Sequence, residues 1–373
     1  MLELIGPEDP GFDLQRKTFN AIVDARPAAI ARCASRADVV AALALAAERG
    51  LPVAVRGGGT SESSTVDGGI QIDLAELDAI EIDLPSRTAS VGGGVTWADL
   101  DEATQEHGLA VTGARVSGLG VAGVALGEGS GWLERALGPT GASVVGGEVV
   151  LADGRVVEAA EDAELLRALQ GNGSGVGVVT RLDLRLHPVG PELLCGFLAF
   201  PRERGAEVAR VYRDFMAEAS DQVGGGLLLG AGLGGVCSIV FCHLGSVEAG
   251  EEAVAPLRAL QPSLDAVAPN PYRAFQRIWD TSNPPGVRAH LRDAVLPELP
   301  DEAIDAVVAR ANLPAASLSY VFLRPLGGAL DVAGWTCQCV GLWPPVPSLD
   351  PGQVAWVDGF VEAIESFARR ARA

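Results

Sequence analysis

An α+β chain of two domains is the fold class this sequence predicts, and three observations carry the expectation. The chain has 373 residues, a length for which two domains are the default. Its first half alternates short apolar strands and helical stretches with repeated glycine clusters. After Pro191 the glycine clusters thin out, except at Gly224 to Gly235. Apolar strands then mix with helices whose apolar positions are three and four apart. That pattern reads as an antiparallel sheet backed by helices. The boundary falls near residues 188–192, at "HPVGP", giving domains 1–190 and 191–373.

In the first domain "AAIARC" reads as a strand and "SRADVVAALALAAERG" as a helix. Ser35 and Asp38 have cap spacing, Gly50 stands where a C′ glycine belongs, and Pro52 blocks continuation. "PVAVR" is the next strand, so a β-α-β unit delivers the chain to Gly57, Gly58 and Gly59. A glycine run gives close backbone approach, and successive N–H groups can converge on an anion. The competing reading of the run is a flexible hairpin turn. "GGIQIDL", "AIEID" and "TASVGGG" read as strands, and "TWADLDEATQEHG" as a helix with Thr96 and Asp99 at cap spacing. "VSGLGVAGVALGEGSGW" carries too much glycine for an isolated helix and fits backbone passing close to a large ligand, or very tight packing. "VVLADGRVVEA" is a hairpin turning at Asp153-Gly154, "DAELLRALQ" a helix, and "GNGSGVGVVTRLDLRL" a glycine turn entering a strand.

In the second domain "LLCGFLAF", "GGLLLGAG", "VCSIVFCHL", "SLSYVFLRPL" and "WTCQCVGLW" read as strands. "GAEVARVYRDFMAEA", "EEAVAPLRAL", "PDEAIDAVVARA" and "VAWVDGFVEAIESFARRA" read as helices. "VRAHLRDAV" reads as a basic-polar loop.

Hydrophobic residues make up 48% and aromatics only 5%, so Val, Leu and Ala must fill most of the core. A net charge of -20 argues against nucleic acid or an anionic membrane as partner. No basic-plus-apolar leader and no bilayer-spanning run is visible. The six cysteines form no CxxC pair and the four histidines show no metal spacing, so the expectation is buried reduced thiols, no metal and a cytoplasmic protein.

These ordered motifs carry a resemblance. "RPAAIARCASRADVVAALALAAERGLPVAVRGGG", "DGGIQIDLAEL", "ASVGGGVTWADLDEATQEHGLA", "VAGVALGEGSGWLERALG", "GVGVVTRLDLRLHPVG" and "NPYRAFQRIWD" are similar to the vanillyl-alcohol oxidase / p-cresol methylhydroxylase superfamily. The similarity is to its bacterial berberine-bridge-enzyme-like branch and covers roughly Phe12 to Arg372. The resemblance implies a two-domain FAD-binding fold with a second α+β substrate domain that roofs the flavin ring. It implies a pyrophosphate cradle at Arg56, Gly57, Gly58, Gly59, Thr60 and Ser61. Ser117, Gly120, Val121, Gly123 and Gly127 would follow the flavin and ribityl chain, and Gly177 and Val178 the adenine half.

The chain departs from that pattern on the cofactor side. Thr60 stands where many members have a flavin-bonding histidine, and Val116 where bicovalent members have a cysteine. Both departures imply FAD held without a covalent bond, with loss of the cofactor left open. "GEGSGW" places Glu128 at a family glycine. Gln170 and "SGVG" replace the usual Arg and Gly-Asn-Phe-Gly. The family also continues past the helix that ends at Ala373, with a tail that returns to the first domain, so the second domain lacks that return segment.

The leading expectation is an FAD-dependent oxidoreductase acting on a small or secondary-metabolite substrate. Tyr272, His290, Tyr320 and Arg324 are candidate bases or orienting groups, although Tyr272 also reads as a packing residue and His290 as a solvated one. The alternative is a non-redox cyclase, pericyclase-like or eliminating enzyme with Glu128 as its acid or base. A non-catalytic binding protein is the third reading.

Overall fold

The structure is a computed structural model that describes residues 2–127, 129–171, 175–230, 236–316 and 318–370. The chain divides into two compact units. Unit 1 takes Met1–Gly131, Pro139–Pro188 and Gln276–Gly286, and unit 2 takes Trp132–Gly138, Val189–Phe275 and Val287–Ala373.

Unit 1 contains two main sheets. The first orders β1 (Glu3–Ile5), β2 (Ala29–Arg32), β4 (Ile70–Asp73) and β3 (Val53–Arg56). Strand β1 is antiparallel to β2, while β2 and β3 both run parallel to β4. Parallel strands cannot be joined by a hairpin. The glycine run after β3 therefore opens a crossover, which removes the hairpin reading.

Helix α2 (Arg36–Arg49) covers this sheet. It starts where the Ser35 side chain accepts the Asp38 N–H and stops at Gly50, whose φ of 62° is the left-handed cap that glycine adopts without strain. Val39, Ala42, Leu43 and Ala46 repeat at helical spacing and pack with Ile70 and Ile72.

The second sheet orders β5 (Ile80–Asp83), β6 (Thr88–Gly92), β10 (Val178–Arg185), β8 (Val144–Val150) and β9 (Val156–Glu158), all antiparallel. Its core is Val91, Leu100, Val149, Leu182 and Leu184 with Trp97. Helix α3 (Trp97–Gln105) begins in the capping box of Thr96 and Asp99 that the spacing predicts. The short strands β7 (Leu109–Ala110) and β11 (His187–Pro188) pair with each other. The remaining helices are α1 (Phe12–Gln15), α4 (Val121–Ala125) and α6 (Ala163–Leu169). Gln170 caps α6 and donates to the Val144 carbonyl at 2.9 Å. Helix α4 sits inside the stretch whose glycine content argued against helix. Its single turn is held by Val121 N–H donating to the Val95 carbonyl rather than by propensity.

Unit 2 is built on one antiparallel sheet. Its path runs β15 (Leu264–Asp265), β12 (Glu192–Pro201), β14 (Val236–His243), β13 (Val223–Gly230), β18 (Tyr320–Pro325), β19 (Trp335–Trp343) and β17 (Arg288–Leu296), with β16 (Ala268–Pro271) also on β12. Helices α7 (Gly205–Glu218), α8 (Val247–Arg258), α10 (Asp301–Ala311) and α11 (Asp350–Arg370) back one face. There Val208, Tyr212, Val254, Ile304, Val357 and Phe360 pack on Leu227, Ile239, Val321 and Cys339. The short helices α5 (Glu134–Leu137) and α9 (Tyr272–Phe275) complete the unit.

One expectation is overturned in unit 2. The stretch around His290, read as a loop, is strand β17, paired with β19 over nine residues from Arg288↔Trp343 to Leu296↔Trp335. Its polar sequence fits an edge strand, whose ladder partner rather than its own hydrophobic pattern fixes it.

All six cysteines are free and buried, and burial pushes the Cys195 and Cys237 thiols up to about 12. Among the described residues no helix is long and apolar enough to cross a membrane, and no cluster of His, Cys, Asp or Glu could hold a metal ion.

Candidate functional site

Where β3 ends, unit 1 encloses a cavity of about 710 Å³. That lies within the ~300–1,000 Å³ of typical cofactor sites. Gly57, Gly58, Gly59, Thr60, Ser61, Ser63 and Ser64 form one wall. Leu119, Gly120, Ala122, Gly123 and Gly127 form a second, and Gly93, Gly175, Gly177 and Val179 a third. Among the described residues, none of those lining it carries a charge.

The first wall is a set of unused donors. Among the described residues, the backbone N–H groups of Gly58, Gly59, Thr60 and Ser61 find no protein acceptor. Consecutive unpaired amides beside small hydroxyl residues suit a diphosphate, because several neutral dipoles can share its charge. The walls fit only without side chains. A Cβ on Gly58 would stand 2.3 Å from the Gly120 nitrogen, so the two glycine loops touch backbone to backbone.

Arg56 supports this wall from behind. Its guanidinium donates to the carbonyls of Gln15 and Lys17 and lies under Gly59, whose φ is 69°. Gly59 in turn accepts the Phe19 N–H at 3.0 Å. Donor set, size and the backbone-to-backbone approach of the glycine loops together fit FAD.

Of the cofactor residues predicted from sequence, Gly57, Gly58, Gly59, Thr60, Ser61, Gly120, Gly123, Gly127 and Gly177 line the cavity. Arg56, Val116, Ser117, Val121 and Val178 do not line it. Val121 and Val178 point into the two hydrophobic cores, and Val116 accepts the Leu119 N–H at 3.3 Å. Ser117 is bracketed by Asp280, which accepts its N–H at 2.9 Å and its hydroxyl at 2.6 Å. Glu128 lies outside the described residues, as does Ser174, the first residue of "SGVG". Ser63, Ser64, Gly93, Gly175 and Val179 were among those missed. Gly93 belongs to a third glycine run, Gly92 to Gly94, and that run was the available signal.

The catalytic candidates among the described residues, Tyr272, His290, Tyr320 and Arg324, all fall in unit 2 and do not form one cluster. His290 is on the helix-backed face of the sheet, with Nε2 2.9 Å from Asp358 of α11. Tyr320, Phe322 and Arg324 alternate on β18 with Val321 and Leu323, which face the helices, so these three share the opposite face. Tyr272 is fully buried at the start of α9.

Arg324 is held by Glu134 at 2.6 Å and by the Thr336 hydroxyl at 3.1 Å, with Glu134 only 4% exposed. Removing the cation leaves a buried carboxylate short of its partner. Arg324→Met is therefore expected to cost about 2 kcal/mol of unfolding free energy by denaturant titration.

A second buried polar group sits in unit 1. Asp101 of α3 is 3% exposed, and burial pushes its carboxyl up to about 7, against a Gln276 hydrogen bond and the Arg277 charge. Gln276 Nε2 donates to Asp101 Oδ2 at 3.1 Å and to the Ala114 carbonyl at 3.3 Å. Among the described residues Asp101 Oδ1 and Trp97 Nε1, one helical turn apart, find no partner.

Comparison with known proteins agrees with this geometry. Residues 27–160 match an FAD binding domain. The chain is 32% identical over 279 residues to (R)-6-hydroxynicotine oxidase of Paenarthrobacter nicotinovorans, covering 72% of this chain and 61% of that protein. It is 27% identical over 296 residues to an FAD-linked oxidoreductase of Dictyostelium discoideum, covering 78% of this chain and 65% of that one. The chain thus spans less than two thirds of the length of these curated relatives.

The fold superposes on 6-hydroxy-D-nicotine oxidase from Arthrobacter nicotinovorans with a TM-score of 0.86 and 25% identity, covering 97% of this chain and 86% of that one. It also superposes on a berberine bridge enzyme variant with a TM-score of 0.88 at 18% identity, covering 98% and 82%, a likeness of fold alone. A loop of unpaired amides in the matched domain, on a fold shared along nearly the whole chain, leads to one assignment: residues 27–160 form an FAD-binding domain, and the chain has the two-part fold of the berberine-bridge-enzyme-like FAD oxidases.

Proposed function

We propose that this chain carries out, or is the greater part of a protein that carries out, FAD-dependent oxidation of a small or secondary-metabolite substrate, with the flavin held non-covalently. The observation that supports it best is the run of amides from Gly58 to Ser61, unpaired among the described residues, on a cavity of about 710 Å³. Bound flavin supplies a two-electron acceptor for a C–H bond beside oxygen or nitrogen. In this reading the chain's own part is positioning. The glycine loop binds the diphosphate through N–H groups, Thr60 and Ser61 add hydroxyls, and the apolar walls at Leu119, Ala122 and Val179 exclude water. Unit 1 is then the cofactor unit and unit 2 the substrate unit, with Tyr320 the remaining candidate for orienting substrate. Non-covalent attachment rests on Thr60, which cannot make the histidyl bond, and on Val116, which cannot make the cysteinyl one. The non-redox reading has no observation in its favour.

The test is the visible spectrum of the purified protein before and after denaturation. A yellow protein that releases all its flavin into the supernatant is expected. A protein that neither carries nor takes up FAD overturns the proposal. Thr60→His restores the residue type that bonds flavin in relatives. Little or no covalent flavin is expected in it, read as flavin retained on the acid-precipitated chain, because the stretch from Ser61 to Asp67 is shorter than the resemblance implies and would misplace the side chain.

A further inference from the structure

We propose that Asp280 is a positioning residue for the cofactor cradle, acting through Ser117. The proposal rests on the FAD-binding reading above. Asp280 belongs to Gln276–Gly286, the segment of unit 1 that lies latest in the chain, and Ser117 to the loop ahead of α4, 163 residues earlier. One carboxylate takes both donors of Ser117, the N–H at 2.9 Å and the hydroxyl at 2.6 Å.

What Ser117 then holds is the second wall of the cavity. Its carbonyl accepts the Ala98 N–H at 2.8 Å, two residues on Leu119 accepts the Trp97 N–H at 3.0 Å, and Val121 donates to Val95 at 2.9 Å. Between those anchors lies Gly120, the residue whose backbone meets Gly58 and lines the cavity beside the unpaired amides. A shift of a few tenths of an ångström at Ser117 is passed to Gly120, because the loop is too short to absorb it. The same segment is pinned a second time, where Gln276 donates to Asp101 and Ala114. Asp280 itself does not line the cavity, so it acts on a cofactor only through the loop.

The experiment uses the full chain freed of flavin. Asp280→Ala removes both acceptors. Asp280→Asn keeps two hydrogen bonds, since its oxygen accepts the Ser117 N–H and its amide donates to the Ser117 hydroxyl oxygen. The Ala variant is expected to bind FAD about tenfold more weakly by flavin-fluorescence titration, the order of effect of losing a charged acceptor at a held loop. The Asn variant is expected to stay within about threefold of wild type, and both should keep the wild-type melting temperature to within a few degrees. Amide hydrogen exchange of the flavin-free protein reads the loop directly. Residues 113–123 should exchange faster in the Ala variant and at the wild-type rate in the Asn variant. Unchanged exchange across 113–123 in the Ala variant overturns the proposal, as does unchanged FAD affinity, or an Asn variant as weak as Ala. If the wild-type chain takes up no FAD, the functional reading fails, and the exchange experiment still decides the role of Asp280 on its own.

Discussion

Gly58→Val is expected to abolish FAD binding, with an affinity loss of at least about 100-fold, or roughly 2.7 kcal/mol. The close backbone approach read from the glycine run would have a side chain there fill the space of the pyrophosphate. The structure moves the collision elsewhere. A Cβ at residue 58 lands 2.3 Å from the Gly120 nitrogen and 2.8 Å from its Cα, and a Cβ on Gly120 would return the clash at 2.5 Å from the Gly58 nitrogen. Neither neighbour is a flexible side-chain end, so the two glycine loops must separate. Separation disperses the amides of one wall relative to the other, and a diphosphate held by several weak donors loses most of them together. Because the first carbon does the damage, Gly58→Ala should show most of the same loss. Titration of the flavin-free variants with FAD, beside circular dichroism to confirm that the chain folds, is the measurement. An alanine variant of wild-type affinity would show that the loops yield without cost and would remove the close-approach argument.

Asp101→Asn is expected to remove a pH dependence from the stability of the flavin-free chain. Asp101 is buried, and its carboxyl is pushed up from the ordinary 3.8 to about 7, chiefly by desolvation. A carboxyl whose folded value is raised gives stability that is fully present below the unfolded value and is lost as pH rises through the folded one. Across the whole window the loss is at most about 4 kcal/mol, since each pH unit carries ~1.36 kcal/mol. An acidic chain is best kept away from its isoelectric region, so the useful range runs from about pH 5.5 to 8, where roughly 2 kcal/mol of the difference remains. Unfolding free energies of wild type and Asp101→Asn should diverge by that amount as pH rises to about 7, then run parallel, with the Asn chain the more stable. Asparagine still accepts the Gln276 hydrogen bond, so the variant isolates the charge. Curves that stay parallel from about pH 5.5 upward would mean that the carboxyl is not raised.

Much of unit 1 was legible because its signals are local. The cap at Ser35, the stop at Gly50 and the capping box of Thr96 and Asp99 appear in the structure where the spacing puts them. Each is a contact between residues three or four apart, which sequence encodes directly. The cradle was legible for a related reason. Glycine at Gly57 to Gly59 declares a backbone requirement whatever the neighbours are, and all three line the cavity.

What failed to show in sequence depended on partners far along the chain. Strand β17 read as a loop because its order comes from the β19 ladder, not from its own alternation. Ser117 read as a cofactor contact, yet its hydroxyl is taken by Asp280. His290 and Tyr320 read as one group of candidates, but the pleat turns them to opposite faces of the unit 2 sheet, His290 toward Asp358 and Tyr320 away from the helices.

The sequence by itself determined the strand-glycine-hydroxyl loop, the caps and stops of α2 and α3, and the residue types at Thr60 and Val116, because residue type and short spacing decide each of these. Only the tertiary structure decided that β3 and β4 run parallel, that Gly58 meets Gly120, that Asp101 is buried against Gln276 and that Asp280 brackets Ser117. Those facts join residues between 17 and 175 positions apart. No local preference specifies such pairs. They are selected when the chain closes its core, because burial then requires each polar group to find a partner wherever in the sequence it lies.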